Sequence, residues 1–551
     1  MKLLSKFLIL TIFTTAILSC TDDDDTNIVP PEGEQTIASI VENDSEFSNL
    51  FAALEAVGLT GDFDGEQEFT VFAPSNAAFN AFLETNNFAS LGEVPLEDLE
   101  RILLNHVVEG TNLSTDLTTG YINSFGTGNA SSQALSLFIN TQEGVVVNGV
   151  ATVNPADVEA SNGVIHVVNS VIDLPSIVTH TLANPEFSTL VEALQLAGTD
   201  TTNYVQILSS NGESTPFTVF APTNQAFEDL LSTLGVDSLN EVDPEVLASI
   251  LEYHVVASNN IRSSDLSTGI NAVTLQGESL GFDLSSNPQV VDATDVNANI
   301  EISDVQSDNG VVHGIDKVLL PQEVVDIIDP TVSGLAMLND NLSSLAEALE
   351  LTGLDQVLAN RSAEFTVFAP TNTAFTSFLN GETLADQPLE ELRQLLLNHV
   401  LSGTNLSGDL ETSYTNSLAT FWETENKLSL YINAESGVIL NGISTVMTPD
   451  NPAANGVVHI VDEVIALPTV VTFATADAEF SNLASALTDP GQADEDFVTQ
   501  LNTQGTTPAP FTVLAPTNLA FENLLTELGV GSIGEIDPVL LTSVLNTHVI
   551  S

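Results

Sequence analysis

Phe69-Thr-Val-Phe-Ala-Pro-Ser-Asn-Ala-Ala-Phe79 reads as a strand, a stop and the start of a helix. Phe69 to Phe72 alternate large apolar with smaller residues, the period of a half-buried strand. Ala73-Pro74 ends it, and Ser75 or Asn76 can cap a short helix whose apolar face includes Phe79 and Phe82. The run returns at Phe217–Phe227, Phe365–Phe375 and Phe511–Phe521, at steps of 148, 148 and 146 residues. Threonine stands at the Ser75 position in those copies (Thr223, Thr371, Thr517), and asparagine always follows.

Two further landmarks keep step with it. An Asn/Tyr/Thr-His-Val triplet carries His106, His254, His399 and His548. An Asn-Gly-Val-Ile/Val-His run carries His166, His313 and His459, which follow the previous histidine by 60, 59 and 60 residues. Three landmarks in constant order mean one domain copied in tandem. The fourth copy stops three residues past His548, and the expectation is a fragment whose last strands lie beyond Ser551. Copies one and three resemble each other, as do two and four, with a higher period of 293 to 294 residues (106 to 399, 254 to 548). The duplicated unit is therefore a pair of domains, which points to an interface within the pair.

Leu99, Ile102, Leu103 and His106 fall at i, i+3, i+4 and i+7 of a helix face, and the other copies repeat the pattern. Each such histidine ends a buried stripe, where it can bond nearby backbone and where a protonated ring would suit the helix dipole. Asn162-Gly-Val-Ile-His-Val-Val168 opens with a turn dipeptide and continues as a strand, with His166 facing away from Ile165 and Val167. Pro175, Pro321 and Pro468 close the three complete copies. A helical first half and a strand-rich second half give an α+β domain.

These elements together resemble the fasciclin (FAS1) domain, over residues 36–551. The resemblance implies four tandem domains, each a β-sandwich-like wedge flanked by helices, at 36–175, 176–321, 322–468 and 469–551, the last incomplete. It also implies a role in adhesion or extracellular-matrix association. The family's Tyr-His pair, tied there to adhesion, is intact here only as Tyr253-His254, so these two are the adhesion candidates; Asn105, Asn398 and Thr547 take the tyrosine slot elsewhere.

Ahead of the repeats, Lys2 and Lys6 precede the apolar run Phe7–Leu18, the pattern of a secretion signal over residues 1–19 and too short to span a bilayer. Ile17-Leu18-Ser19-Cys20 resembles a bacterial lipobox, which would make Cys20 the lipidated N-terminus and the membrane a partner through its acyl chains. Thr21-Asp22-Asp23-Asp24-Asp25 resembles an acidic signal for export to the outer face of the outer membrane. Residues 20–35, with Pro30-Pro31, read as a tether.

Composition narrows the function. The 551 residues hold 75 Asp plus Glu against 8 Lys plus Arg, a formal charge of −67. Loss of Lys2 and Lys6 with the signal would make the side-chain charge −69, 6 cations against 75 acids. So few cations exclude nucleic acid as a partner. A single cysteine excludes a disulfide framework or thiolate metal site. The run Gly529-Val-Gly-Ser-Ile-Gly534 imitates a dinucleotide loop, but it follows a helical pattern rather than a strand. No nucleophile elbow or zinc helix occurs, so no catalytic residue and no cofactor is expected. Calcium is the ion that suits the composition, at Asp62-Phe-Asp64-Gly65 or Asp295-Val-Asn297-Ala-Asn299, although neither completes a calcium loop. The expectation is a non-enzymatic surface lipoprotein that contacts cells, matrix or polysaccharide. A small-molecule or glycan binder, a structural spacer and an enzyme are its alternatives.

Overall fold

The computed structural model describes residues 35–198, 203–210, 215–421, 425–489, 496–503 and 510–550. The signal, Cys20 and most of the tether lie outside them. The chain forms two compact units, divided after Val324.

In the first unit, the first copy runs α1 (Ile37–Asn43), α2 (Ser48–Val57), β1 (Phe69–Pro74), α3 (Asn76–Thr85), α4 (Leu96–Asn105) and β2 (Val107–Glu109). It continues through β3 (Gly120–Thr127), β4 (Ala134–Asn140), β5 (Val146–Val147), β6 (Ala151–Thr152), β7 (Val158–Ala160) and β8 (Gly163–Val168). One sheet in the order β6-β5-β4-β3-β2-β1-β8-β7 holds it together.

At its centre β1 pairs parallel with β8, Phe69 beside Gly163 and Val71 beside Ile165. Parallel strands are normally covered on both faces, and that corrects the half-buried reading of Phe69–Pro74: all six residues are buried. Phe69, Val71, Ile165 and Val167 pack with the helices. Phe72 and Val168 pack on the other side with Leu137, Ile139 and Val147. The glycine after Asn162 is a steric requirement, since a Cβ on Gly163 would lie 1.9 Å from Phe69 O.

The second copy repeats the plan: α5 (Ile177–Ala183), α6 (Ser188–Leu196), α7 (Tyr204–Ser209), β9 (Phe217–Pro222), α8 (Asn224–Leu234), α9 (Pro244–Tyr253) and β10 (Val255–Val256). Then come β11 (Asn271–Val273), β12 (Ser279–Asp283), β13 (Gln289–Val291), β14 (Ala298–Ser307) and β15 (Gly310–Ile315), in the sheet order β10-β9-β15-β14-β13-β12-β11.

The second unit holds a third copy whose parallel pair is Phe365–Pro370 with Gly456–Val461. It also holds the helical half of the fourth copy, with strands Thr512–Val513 and Val549–Ile550. No single described helix is long and apolar enough to cross a membrane.

Candidate functional site

The repeated histidines are the natural place to look for a site. Helix α4 delivers His106 into the core, 2% exposed. Its Nδ1–H donates to Ile102 O at 2.7 Å, and its Nε2 accepts the Ile172 N–H at 2.8 Å. His254 does the same with Ile250 O and Leu319 N–H, and His399 with Leu395 O and Ile465 N–H. His548 bonds Val544 O at 2.8 Å.

A ring that accepts at Nε2 and donates at Nδ1 is neutral. Burial pushes His106, His254 and His399 down to about 4. The backbone bonding matches the reading of these as core histidines, and the ring stays neutral because losing water outweighs the field of the helix end.

The second set uses the opposite tautomer. His166 Nε2–H donates to Asn112 O at 2.9 Å, and Nδ1 accepts the Asp157 N–H at 3.2 Å. His313 pairs likewise with Ile261 O and Asp304 N–H, and His459 with Asn405 O and Asp450 N–H. Each ring lies against the strand phenylalanine, Phe72, Phe220 or Phe368. In the three complete copies both nitrogens of both histidines are bound to backbone, so none offers a free lone pair to a metal. Among the described residues no group of three or more His, Cys, Asp or Glu is placed to hold a metal. Asp64 accepts from Thr36 Oγ1 at 2.8 Å, and Asn299 is held by Asp316.

Asp157 brings serine, aspartate and histidine together, but not as a nucleophile and base. Ser114 Oγ donates to Asp157 Oδ2 at 2.5 Å, not to the imidazole. Burial raises the Asp157 pKa, yet the two bonds from Ser114 outweigh it and hold the carboxyl below its usual range. Asp157, Asp304 and Asp450 all have left-handed φ near 60°, where aspartate is tolerated better than most residues. Their constant place nine residues before His166, His313 and His459 was the available signal.

Two asparagines also exceed their sequence reading. Asn162 is a buried cross-link as well as a turn residue: its Oδ1 accepts the Ile37 N–H, and its amide donates to Phe63 O and Gly65 O. Asn309 and Asn455 repeat all three bonds. Ser75 is the helix cap, and Asn76 instead ties α3 to α2 through the Asn49 N–H and Ser45 O. Asn224, Asn372 and Asn518 make the matching pair of bonds in their copies. Their constant place after the cap was the available signal. Gly529 is the left-handed C-cap of the helix Asn518–Leu528, not a phosphate loop.

Both adhesion candidates are inside. Tyr253 and His254 are each 1% exposed, and the Tyr253 hydroxyl donates to Ser279 O at 3.2 Å. Neither side chain can touch a partner directly.

What is also repeated is an aromatic joint between successive copies. Within the first unit, Tyr121 on β3 meets His180 on α5 edge-on at 5.6 Å, and Asn184 Nδ2 donates to the Tyr121 hydroxyl (Oη) at 3.4 Å. Arg101 pairs with Asp308, whose carboxylate also accepts the Asn129 N–H. Within the second unit, Tyr414 meets Phe473 at 5.5 Å and donates to Asp477 at 2.9 Å. The two joints are 293 residues apart, the period of the duplicated pair.

Residues 45–175, 185–321, 340–468 and 478–551 match the family described as Fasciclin domain. The chain belongs to the fasciclin family. It is 28% identical over 506 residues to Transforming growth factor-beta-induced protein ig-h3 of Sus scrofa, covering 87% of this chain and 65% of that one. Periostin of Homo sapiens is 28% identical over 484 residues, 86% of this chain and 51% of its own. The chain thus spans between half and two thirds of these fasciclin-domain relatives. A solved FAS1 domain pair from the insect cell adhesion molecule Fasciclin I covers 50% of this chain and 96% of its own, at 20% identity and a TM-score of 0.22. Fasciclin domains occur in cell-adhesion and extracellular-matrix proteins.

Proposed function

We propose that this chain is a non-enzymatic cell-surface lipoprotein. It is anchored through Cys20 to the outer membrane and holds fasciclin domains, bounded at 36–175, 176–321, 322–468 and 469–551, outward to contact other cells, matrix or polysaccharide. The observation that carries the reading is the repeated joint. Selection or copying preserved the domain pair as a unit, and an aromatic contact between copies stiffens it for reach. The repeated polar residues support it too, because they are spent on internal bonds and leave little for turnover. The lipobox-like segment and acidic tether supply the anchor.

The test coats beads with the full chain and measures their attachment to cell and matrix surfaces, with and without EDTA. The reading expects saturable attachment to a subset of surfaces that survives the chelator. Equal attachment to every surface, matching uncoated beads, overturns it.

A further inference from the structure

The copies differ at the residue before the first histidine. In copies one and three, Asn105 and Asn398 hold that slot, and each accepts a hydrogen bond from a serine on the adjacent strand, Ser124 at 2.8 Å and Ser417 at 3.0 Å. The strand lies close on the asparagine: a Cβ on Gly126 would come 3.0 Å from Asn105. It runs eight residues in both copies, Gly120–Thr127 and Ser413–Thr420. In copy two, Tyr253 replaces the asparagine, and Thr274 takes the place of the serine, its hydroxyl donating to Glu278 O as that of Ser124 does to Leu135 O. The larger ring enters the core with Phe220, Leu266 and Phe282. β11 keeps three residues and pairs with β12 alone, just as the strand Ser413–Thr420 of the third copy pairs only with Lys427–Asn433.

The far end of this strand segment still touches β10, where the Leu275 N–H donates to Val255 O at 2.7 Å. From that point the chains diverge, and a cleft of about 530 Å³ opens between residues 257–261 and 270–275. Leu266 and Phe282 line it, and Ile270 and Val273 stand on its rim, 50% and 63% exposed. Thr274 N–H donates to Glu278 O at 2.9 Å. Antiparallel alternation then turns the backbone polar groups of Asn271 and Val273 away from β12, toward the open edge. Edge strands are usually guarded by Lys, Pro or inward charge, but residues 265–275 contain no Lys, Arg or Pro.

We infer that this cleft docks an extended segment of another protein. The segment adds to β11 as a strand, lays apolar side chains over Leu266 and Phe282, and carries Lys or Arg at its ends. Strand addition of this kind takes affinity from main-chain bonds and specificity from alternate side chains. Charge selects the occupant. Asp265 lines the cleft and Glu278 and Asp283 flank β12, so a basic segment is attracted. A second copy would bring another −67 against the first. The inference deepens the adhesion reading and rests on it for placing the partner on another surface.

The test titrates the full chain against a fluorescent Lys-Lys-Val-Thr-Val-Thr-Val-Lys-Lys peptide and reads anisotropy. Saturable binding is expected, weakened at least tenfold by Val273→Pro, by the surface change Ile270→Lys, and by N-methylation of alternate peptide residues. Binding that is equal for the wild type and all variants overturns the inference, as does chain dimerisation that Ile270→Lys abolishes. Bead attachment, measured on the same proteins, separates the two readings. Peptide binding that depends on β11 without any attachment removes adhesion alone; attachment without β11-dependent peptide binding removes the groove alone.

Discussion

The backbone N–H of Ile172 donates to Nε2 of His106 at 2.8 Å, joining the end of a helix to a segment 66 residues further on. The bond needs a neutral ring. The unfolded chain takes a proton near 6.5 and the folded one only near 4. Between those values the unfolded state holds more protons, so stability is full above about 6.5 and falls as the pH drops toward 4. His254 and His399 add the same dependence to their own domains. Each is expected to cost its domain about 2–3 kcal/mol by pH 4.5. Thermal melts at pH 7.5 and 4.5 check this, and an equal melting temperature at both would refute it.

The joint in the first unit carries a defect that the second lacks. His180 is fully buried, burial pushes it down to about 4, and neither ring nitrogen makes a hydrogen bond of normal length, although the Gln306 backbone weakly favours its proton. Phe473 stands in its place in the other pair, against Tyr414. His180→Phe should therefore stabilise the first pair, by about 1–3 kcal/mol at neutral pH and more in acid, because an unsatisfied buried polar group is removed. Calorimetry of the full chain would show the gain as an upward shift of one transition. A downward shift would mean that the imidazole has a use the geometry does not reveal.

Asn162 offers a sharper test of the internal cross-links. Asn162→Ala deletes three buried bonds and strands the Ile37 N–H. The expected loss is about 3 kcal/mol from the first domain. The exposed Asn86, which bonds only Phe82 O, should tolerate alanine within about 0.5 kcal/mol. Urea unfolding that affects both variants equally would count against the clamp.

A charge of −67 with 8 cations leaves most carboxylates to repel one another. Salt shortens the range of that repulsion, the Debye length falling to about 3 Å at 1 M. The chain should melt at a higher temperature and scatter as a more compact particle at about 0.5 M NaCl than at 0.02 M. An unchanged or lower melting temperature in salt would show that the acids are already compensated.

The parts of this architecture visible in the sequence were those set by neighbours in the chain. The Ser75 cap, the Leu99–His106 stripe and the alternation through His166 are local, and their recurrence exposed the repeat. Features made by distant contacts were not visible. Asn162 reads as the turn residue it is, but its cross-link does not, because Ile37, its partner, lies 125 residues earlier. Phe69–Pro74 looked half-buried because β8, which makes it a central strand, comes almost a hundred residues later. The His106 charge state is not legible for a related reason: the helix dipole can be read locally, but the depth of burial that keeps the ring neutral cannot. His180 carried no repeated pattern at all, and only its alignment with Phe473 singles it out.

The account rests on imidazoles whose two nitrogens are both committed to backbone, and ring-nitrogen NMR of the ¹⁵N-histidine-labelled full chain reads this directly. His106, His254 and His399 should show the Nδ1–H tautomer, and His166, His313 and His459 the Nε2–H tautomer, all unchanged from pH 8 to pH 5.5. Rings that titrate near 6.5, or that exchange between tautomers, would contradict it and return these residues to candidacy for ligand binding or catalysis.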